Sequence, residues 1–146
     1  MSSVRASVVV PVGAEAAFRM FTAEIDAWYV RGPHSWVDPE RAVGIRFVDG
    51  YLRELWSDGG HVDTGRVLAW EPPRRLVWAD LLNDGSMEIE VAFTPVAEGT
   101  EVTLEHRGLD TLPPAVERRI RKGYSWNIAL GWFASACRTS CAPPAC

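Results

Sequence analysis

The 146-residue sequence predicts an α+β domain: a curved antiparallel sheet of about seven strands wrapped around one long C-terminal helix. Strand-length runs recur between turn signals over residues 43–107, and a segment of helical period closes the chain. Two short helical segments separate a first strand from the rest.

In the first strand Val4, Ala6, Val8 and Val10 alternate with Arg5 and Ser7, the pattern of a half-buried strand. Pro11-Val12-Gly13 ends it. Ala14 to Thr22 reads as a short helix with Ala17, Phe18 and Phe21 on one face, and Asp26 to Trp36 as a second helical or looped segment, broken by Gly32-Pro33. The turn signals Asp49-Gly50, Asp58-Gly59-Gly60, Glu71-Pro72-Pro73, Asn83-Asp84-Gly85 and Glu98-Gly99 follow. They delimit Val43–Val48, Tyr51–Trp56, His61–Trp70, Leu76–Leu82, Ser86–Thr94 and Thr100–Arg107. Links this short join antiparallel neighbours, so the runs form a meander. Alternation is cleanest where Met87, Ile89, Val91 and Phe93 oppose Glu88 and Glu90.

The closing helix, Ala115 to Arg138, starts after Pro113-Pro114, a natural helix entry. At about 100° per residue, Val116, Gly123, Trp126, Asn127, Leu130, Phe133, Ala134 and Cys137 fall in one arc. A long helix on a curved sheet tends to enclose a cavity. On the opposite side Ile128 and Trp132 suggest a contact surface for a homodimer, or a rim contact with the small helices. Residues 1–137 are expected to form one domain, and 138–146, with Cys141 and Cys146 flanking Ala142-Pro143-Pro144-Ala145, a disordered tail.

Composition excludes several classes. A net charge of −4 and no long basic cluster argue against nucleic-acid binding. No apolar run approaches the ~20 residues of a membrane span, and Met1-Ser2-Ser3-Val4-Arg5 opens no signal peptide, so a cytoplasmic protein is expected. Three cysteines confined to the last ten residues make no disulfide framework, and no zinc spacing accompanies them. His61 and Asp63 lack a third ligand in view, so no metal is expected. No phosphate loop or nucleophile elbow is present, and no cofactor is expected.

The chain resembles the helix-grip fold of the START/polyketide-cyclase superfamily (SRPBCC), and within it the family named for the activator of the heat-shock protein 90 ATPase. The resemblance lies in Val8-Val9-Val10-Pro11, Ala16-Ala17-Phe18, Thr22 and Trp28; in Glu71-Pro72-Pro73-Arg74-Arg75-Leu76-Val77-Trp78; in Val102-Thr103-Leu104-Glu105-His106-Arg107-Gly108-Leu109; and in Trp126, Leu130 and Phe133. It covers about residues 3 to 137. Where the family often has a tryptophan two residues past Trp78, this chain has Asp80. The eukaryotic co-chaperone also carries an N-terminal domain without a counterpart in this sequence. The superfamily hosts lipid carriers, cyclases, dehydratases, hormone receptors and chaperone regulators, so the resemblance implies a fold before a function.

Two residues could carry chemistry. Asp80 shares a strand face with Leu76 and Trp78; a carboxylate among tryptophans is a usable acid or base, unless it is solvated at the strand end. His106 shares a face with Val102 and Leu104 and reads as an acid–base group, a ligand donor or a structural histidine. Trp28, Tyr29 and Trp36 would gate the cavity mouth or seal the core end. Asn127 is an amide inside the apolar arc and needs a partner. Arg53 or Glu54 could orient a ligand if directed inward, although solvated strand charges are commoner.

These residues favour binding of a hydrophobic or amphipathic small molecule between sheet and helix, through Trp28, Trp78, Asp80, His106, Trp126, Asn127 and Leu130. The alternatives are a cyclase- or dehydratase-like enzyme using Asp80 and His106, and a chaperone-linked interaction domain.

Overall fold

The computed structural model describes residues 3–29, 37–81, 87–109, 113–115 and 126–140, with only the backbone of Asn127 and Ser140. Its elements are β1 (Ser3–Val10), α1 (Ala14–Thr22), α2 (Ile25–Trp28), β2 (Ala42–Val48), β3 (Tyr51–Trp56), β4 (His61–Glu71), β5 (Arg75–Asp80), β6 (Met87–Val96), β7 (Gly99–Arg107) and α3 (Trp126–Ser140). The expected α+β helix-grip architecture is the one observed. Strand bounds agree with the sequence reading to within two residues. Val116, Gly123, His34, Trp36 and the Cys141–Cys146 segment lie outside the described residues. Thr139 and Ser140 carry α3 two residues beyond the expected Arg138 terminus.

The strands form one antiparallel sheet in the order β1-β7-β6-β5-β4-β3-β2. The meander accounts for every link but one: β1 returns to pair with β7, Val8 opposite Val102 and Ala6 opposite Leu104. Turn chemistry fixes the tight corners. Asp49 and Gly50 both take positive φ (55° and 83°), as a two-residue hairpin turn of right-handed twist demands.

Register sorts the sheet into rows. Leu76, Val91, Leu104 and Ala6 are cross-strand partners in one row, and Trp78, Ile89, His106 and Val4 in the next. Both lie on the concave face, and nearly all of these side chains are buried. The convex face carries an ion-pair ladder. Arg75 bridges Glu71 and Glu90, and Arg107 reaches Glu90, Glu88 and Glu105. Glu88 and Glu90 among them are the polar half of the alternation read in β6.

α3 packs mainly on β1 and against α1 and α2. Leu130, Phe133, Ala134 and Cys137 are buried there, as the helical arc requires. Phe21 of α1 is the hub of the core, in ring contact with Trp28, Phe93 and Phe133. Each such fully buried side chain contributes roughly 1.5–3 kcal/mol of transfer free energy. α2 is tied to the sheet by Asp26, whose Oδ1 accepts the Ile45 amide at 3.0 Å.

Candidate functional site

The concave wall facing α3 carries a short polar relay. His106 sits on β7 in the row of Trp78 and Ile89, 3% exposed. The Trp126 indole of α3 donates to His106 Nδ1 at 3.0 Å. On the far side of the ring, Nε2 lies 3.2 Å from the Met87 sulfur. An indole nitrogen can only donate, so Nδ1 must be the acceptor. The imidazole proton therefore sits on Nε2 and points at a thioether, a weak acceptor. Burial pushes the His106 pKa below the ordinary histidine value, and the charge of Asp80 opposes that shift. The ring is neutral near pH 7, and its partners hold one tautomer.

Asp80 belongs to the next row, opposite Met87 on one side and Gly65 on the other. It is half-buried at the end of β5. The inward face expected for it is the one observed, and its charge reaches His106. Trp78 is 5% exposed, with its ring 5.8 Å from that of Phe47. Gly65 makes room for it: a Cβ there would stand 2.5 Å from Trp78 Cδ1. Phe47 and Val67 are partly buried against this wall. Trp78, Asp80, His106, Trp126 and Leu130 thus gather along one concave surface and the helix that faces it. Of Asn127 only the backbone is described.

Trp28 is placed differently. Its indole donates to the Met20 carbonyl at 3.0 Å, and its ring packs on Phe21, Tyr29 and Phe133. Of the two roles open to it, sealing the core end is the one the contacts give. Trp132 is half-buried with its ring against Tyr29, a rim contact with α2, whereas Ile128 is 57% exposed.

Glu54 departs from the expectation of a solvated strand charge. It is 1% exposed and fully engaged, because two backbone amides and an indole converge on it. It accepts from Val37 N at 2.7 Å, Asp38 N at 2.9 Å and Trp56 Nε1 at 2.9 Å. Arg53 points instead to Asp63 at 2.7 Å, which occupies the carboxylate once paired with His61 as a metal candidate. Among the described residues no group of His, Cys, Asp or Glu could hold a metal ion, and no helix is long and apolar enough to cross a membrane. The Cys137 thiol is pushed up to about 11 by burial.

Sequence reasoning missed Met87 as part of the relay and missed a second feature altogether. A cleft of about 400 Å³ opens between α1 and the β4–β5 turn, lined by Phe18, Trp70, Pro72 and Pro73 with Glu15 and Arg19 at its edge. The Glu-Pro-Pro signal marked a turn, but nothing local indicated that α1 would lie across from it.

A family model described as "Activator of Hsp90 ATPase homolog 1-like protein" matches residues 11–132. Among proteins of curated function, none matches the sequence. Among solved structures, protein MLL2253 from Mesorhizobium loti is 18% identical with a TM-score of 0.63, over 94% of this chain and 98% of that one. The Aha1 dimer from Colwellia psychrerythraea is 14% identical with a TM-score of 0.66, over 94% and 96%. The anthrahydroquino-gamma-pyrone synthase Txn09, complexed with a ligand designated SUM, is 29% identical with a TM-score of 0.59, over 92% and 96%.

Proposed function

This chain belongs to the family of activator of Hsp90 ATPase homolog 1-like proteins, and on that premise we propose that it binds an apolar or amphipathic small molecule between the concave sheet face and α3. The observation that carries the reading is the Trp126–His106–Met87 relay. It holds a donor N–H on an apolar wall against sulfur, where a ligand carbonyl or phenolic oxygen would be the stronger acceptor. Asp80, one row away, offers a second polar contact, and Asn127 is proposed as a third. Trp78, Trp126 and Leu130 supply apolar surface, at about 25 cal/mol per Å² removed from water. Trp28 backs this wall through Phe133. The likeness to Txn09 supports a fused-ring aromatic ligand. The protein is proposed to be cytoplasmic, to work without a metal or cofactor, and to self-associate through Ile128 and the rim at Trp132. The Colwellia structure, a dimer of the same fold, supports self-association.

Native mass spectrometry of the protein from its host should reveal a co-purified small molecule, and a hydroxylated anthraquinone should quench tryptophan fluorescence saturably. No adduct, together with no quenching by apolar probes, would overturn the reading.

A second reading is an enzyme in which Asp80 and His106 exchange a proton with such a ligand. The charge of Asp80 acting on His106 favours it, as does the synthase name of Txn09. Asp80→Asn, which keeps a polar contact but no ionisable group, would then abolish turnover while weakening binding only modestly. If the chain is only a carrier, no turnover exists to lose. A chaperone-linked interaction domain is the third reading, and the family description supports it.

A further inference from the structure

The cleft between α1 and the β4–β5 turn takes no part in the contacts proposed above. Phe18 and Trp70 form two of its walls, their rings crossing at 86° with centroids 5.5 Å apart. Pro72 and Pro73 add a third side. Trp70 packs on Phe18 and Phe47 yet leaves 45% of its surface exposed. The volume, about 400 Å³, is that of a small-ligand site.

The charge at the rim is uneven. Arg19, the one guanidinium among the described residues lining the cleft, is paired with Glu24 at 3.2 Å. Glu15, one turn earlier on α1, has no ion-pair partner among the described residues and lines the cleft. An anion entering here would meet the Glu15 carboxylate, and a neutral apolar ligand would desolvate it without compensation. A cation would gain from both the carboxylate and the negative face of the Trp70 indole. The walls also decide which kind of cation fits. Thr22 is only 2% exposed, its hydroxyl turned to the Phe18 carbonyl at 2.7 Å, so it presents no acceptor to a ligand. Beyond Glu15, the remaining side chains (the two rings, Ala23 and the two prolines) offer no acceptor for the N–H groups of a primary ammonium. A methylated ammonium has few or none to satisfy.

We propose that this cleft binds a quaternary or tertiary ammonium of the choline type. The nitrogen rests on the exposed Trp70 face, its methyl groups touch Phe18 and the two prolines, and Glu15 supplies the counter-charge.

The test is a titration of the full ¹⁵N-labelled chain with choline, and in parallel with its uncharged carbon isostere 3,3-dimethylbutanol. The Trp70 indole signal is assigned from Trp70→Phe. Choline is expected to shift that signal saturably in the millimolar range while the isostere does not. Glu15→Gln, a substitution at an exposed position that leaves the fold intact, should weaken choline binding several-fold, and Trp70→Leu should abolish it. The proposal is overturned by no shift through tens of millimolar choline, by equal shifts with the isostere, or by Glu15→Gln binding choline as wild type does.

Discussion

The indole of Trp126 on α3 donates to Nδ1 of His106 on β7 across 3.0 Å, between two side chains that are both nearly inaccessible to water. This bond joins the closing helix to the sheet by a polar contact inside an apolar interior, and it sets the tautomer of the imidazole. Trp126→Phe keeps the ring and removes the donor. The variant should lose about 1–3 kcal/mol in chemical denaturation, because His106 Nδ1 is left buried without its partner. Its ¹⁵N histidine spectrum should depart from the Nε2-protonated form expected of wild type. A wild-type spectrum showing the Nδ1-protonated form would contradict the bond.

The pH dependence follows from the same residue. His106 has its folded-state pKa lowered by burial, with Asp80 opposing. Below the ordinary histidine value, about 6.5, the unfolded chain takes up a proton that the folded chain resists. Stability should therefore be fully present above that value and fall as pH drops through it toward the folded pKa. His106→Gln should flatten this slope below about pH 6.5. Denaturation midpoints measured across the range check it; parallel curves would contradict it.

Glu54 organises the chain ahead of β2. Glu54→Ala leaves the Val37 and Asp38 amides and the Trp56 indole without their acceptor. The expected loss is about 3 kcal/mol or more, since bonds to a charged acceptor contribute ~1.5–3 kcal/mol each. Arg53→Ala, whose partners Asp63 and Asp49 are on the more accessible side, should cost clearly less. Equal effects of the two would refute the distinction.

Gly65→Ala tests the seating of Trp78. The added methyl would meet Trp78 Cδ1 at 2.5 Å, so the indole must move off β4. A cost of about 1–3 kcal/mol and a change in near-ultraviolet circular dichroism are expected. Unchanged stability and spectrum would mean that the ring does not lie there.

Self-association through α3 is tested at Ile128, the exposed member of the Ile128/Trp132 pair. Ile128→Asp should shift sedimentation toward monomer without altering the unfolding transition. A wild-type protein that is monomeric at high concentration would remove the dimer from consideration.

The sheet was legible because its information is local. Met87, Ile89, Val91 and Phe93 declare a buried face by period alone, and Asp49-Gly50 declares a turn through the φ values it accepts. The inward placement of Asp80 and His106 followed from the same alternation. The pairing of β1 with β7 did not, since nothing in Val4–Val10 records a partner about a hundred residues away. Glu54 was misjudged for a related reason: its burial depends on amides of Val37 and Asp38 that reach it only after the chain has folded back.

The sequence by itself determined the strand spans to within two residues, the buried faces of β1, β6, β7 and α3, and membership of a helix-grip architecture. Only the tertiary structure decided which polar groups meet: Trp126 with His106, Glu54 with two backbone amides, Phe18 with Trp70 beside the paired prolines. Periodicity fixes the direction a side chain points from its own backbone. Its partner is chosen by the packing of distant elements, which is set by the free energy of the whole core and not by any local pattern.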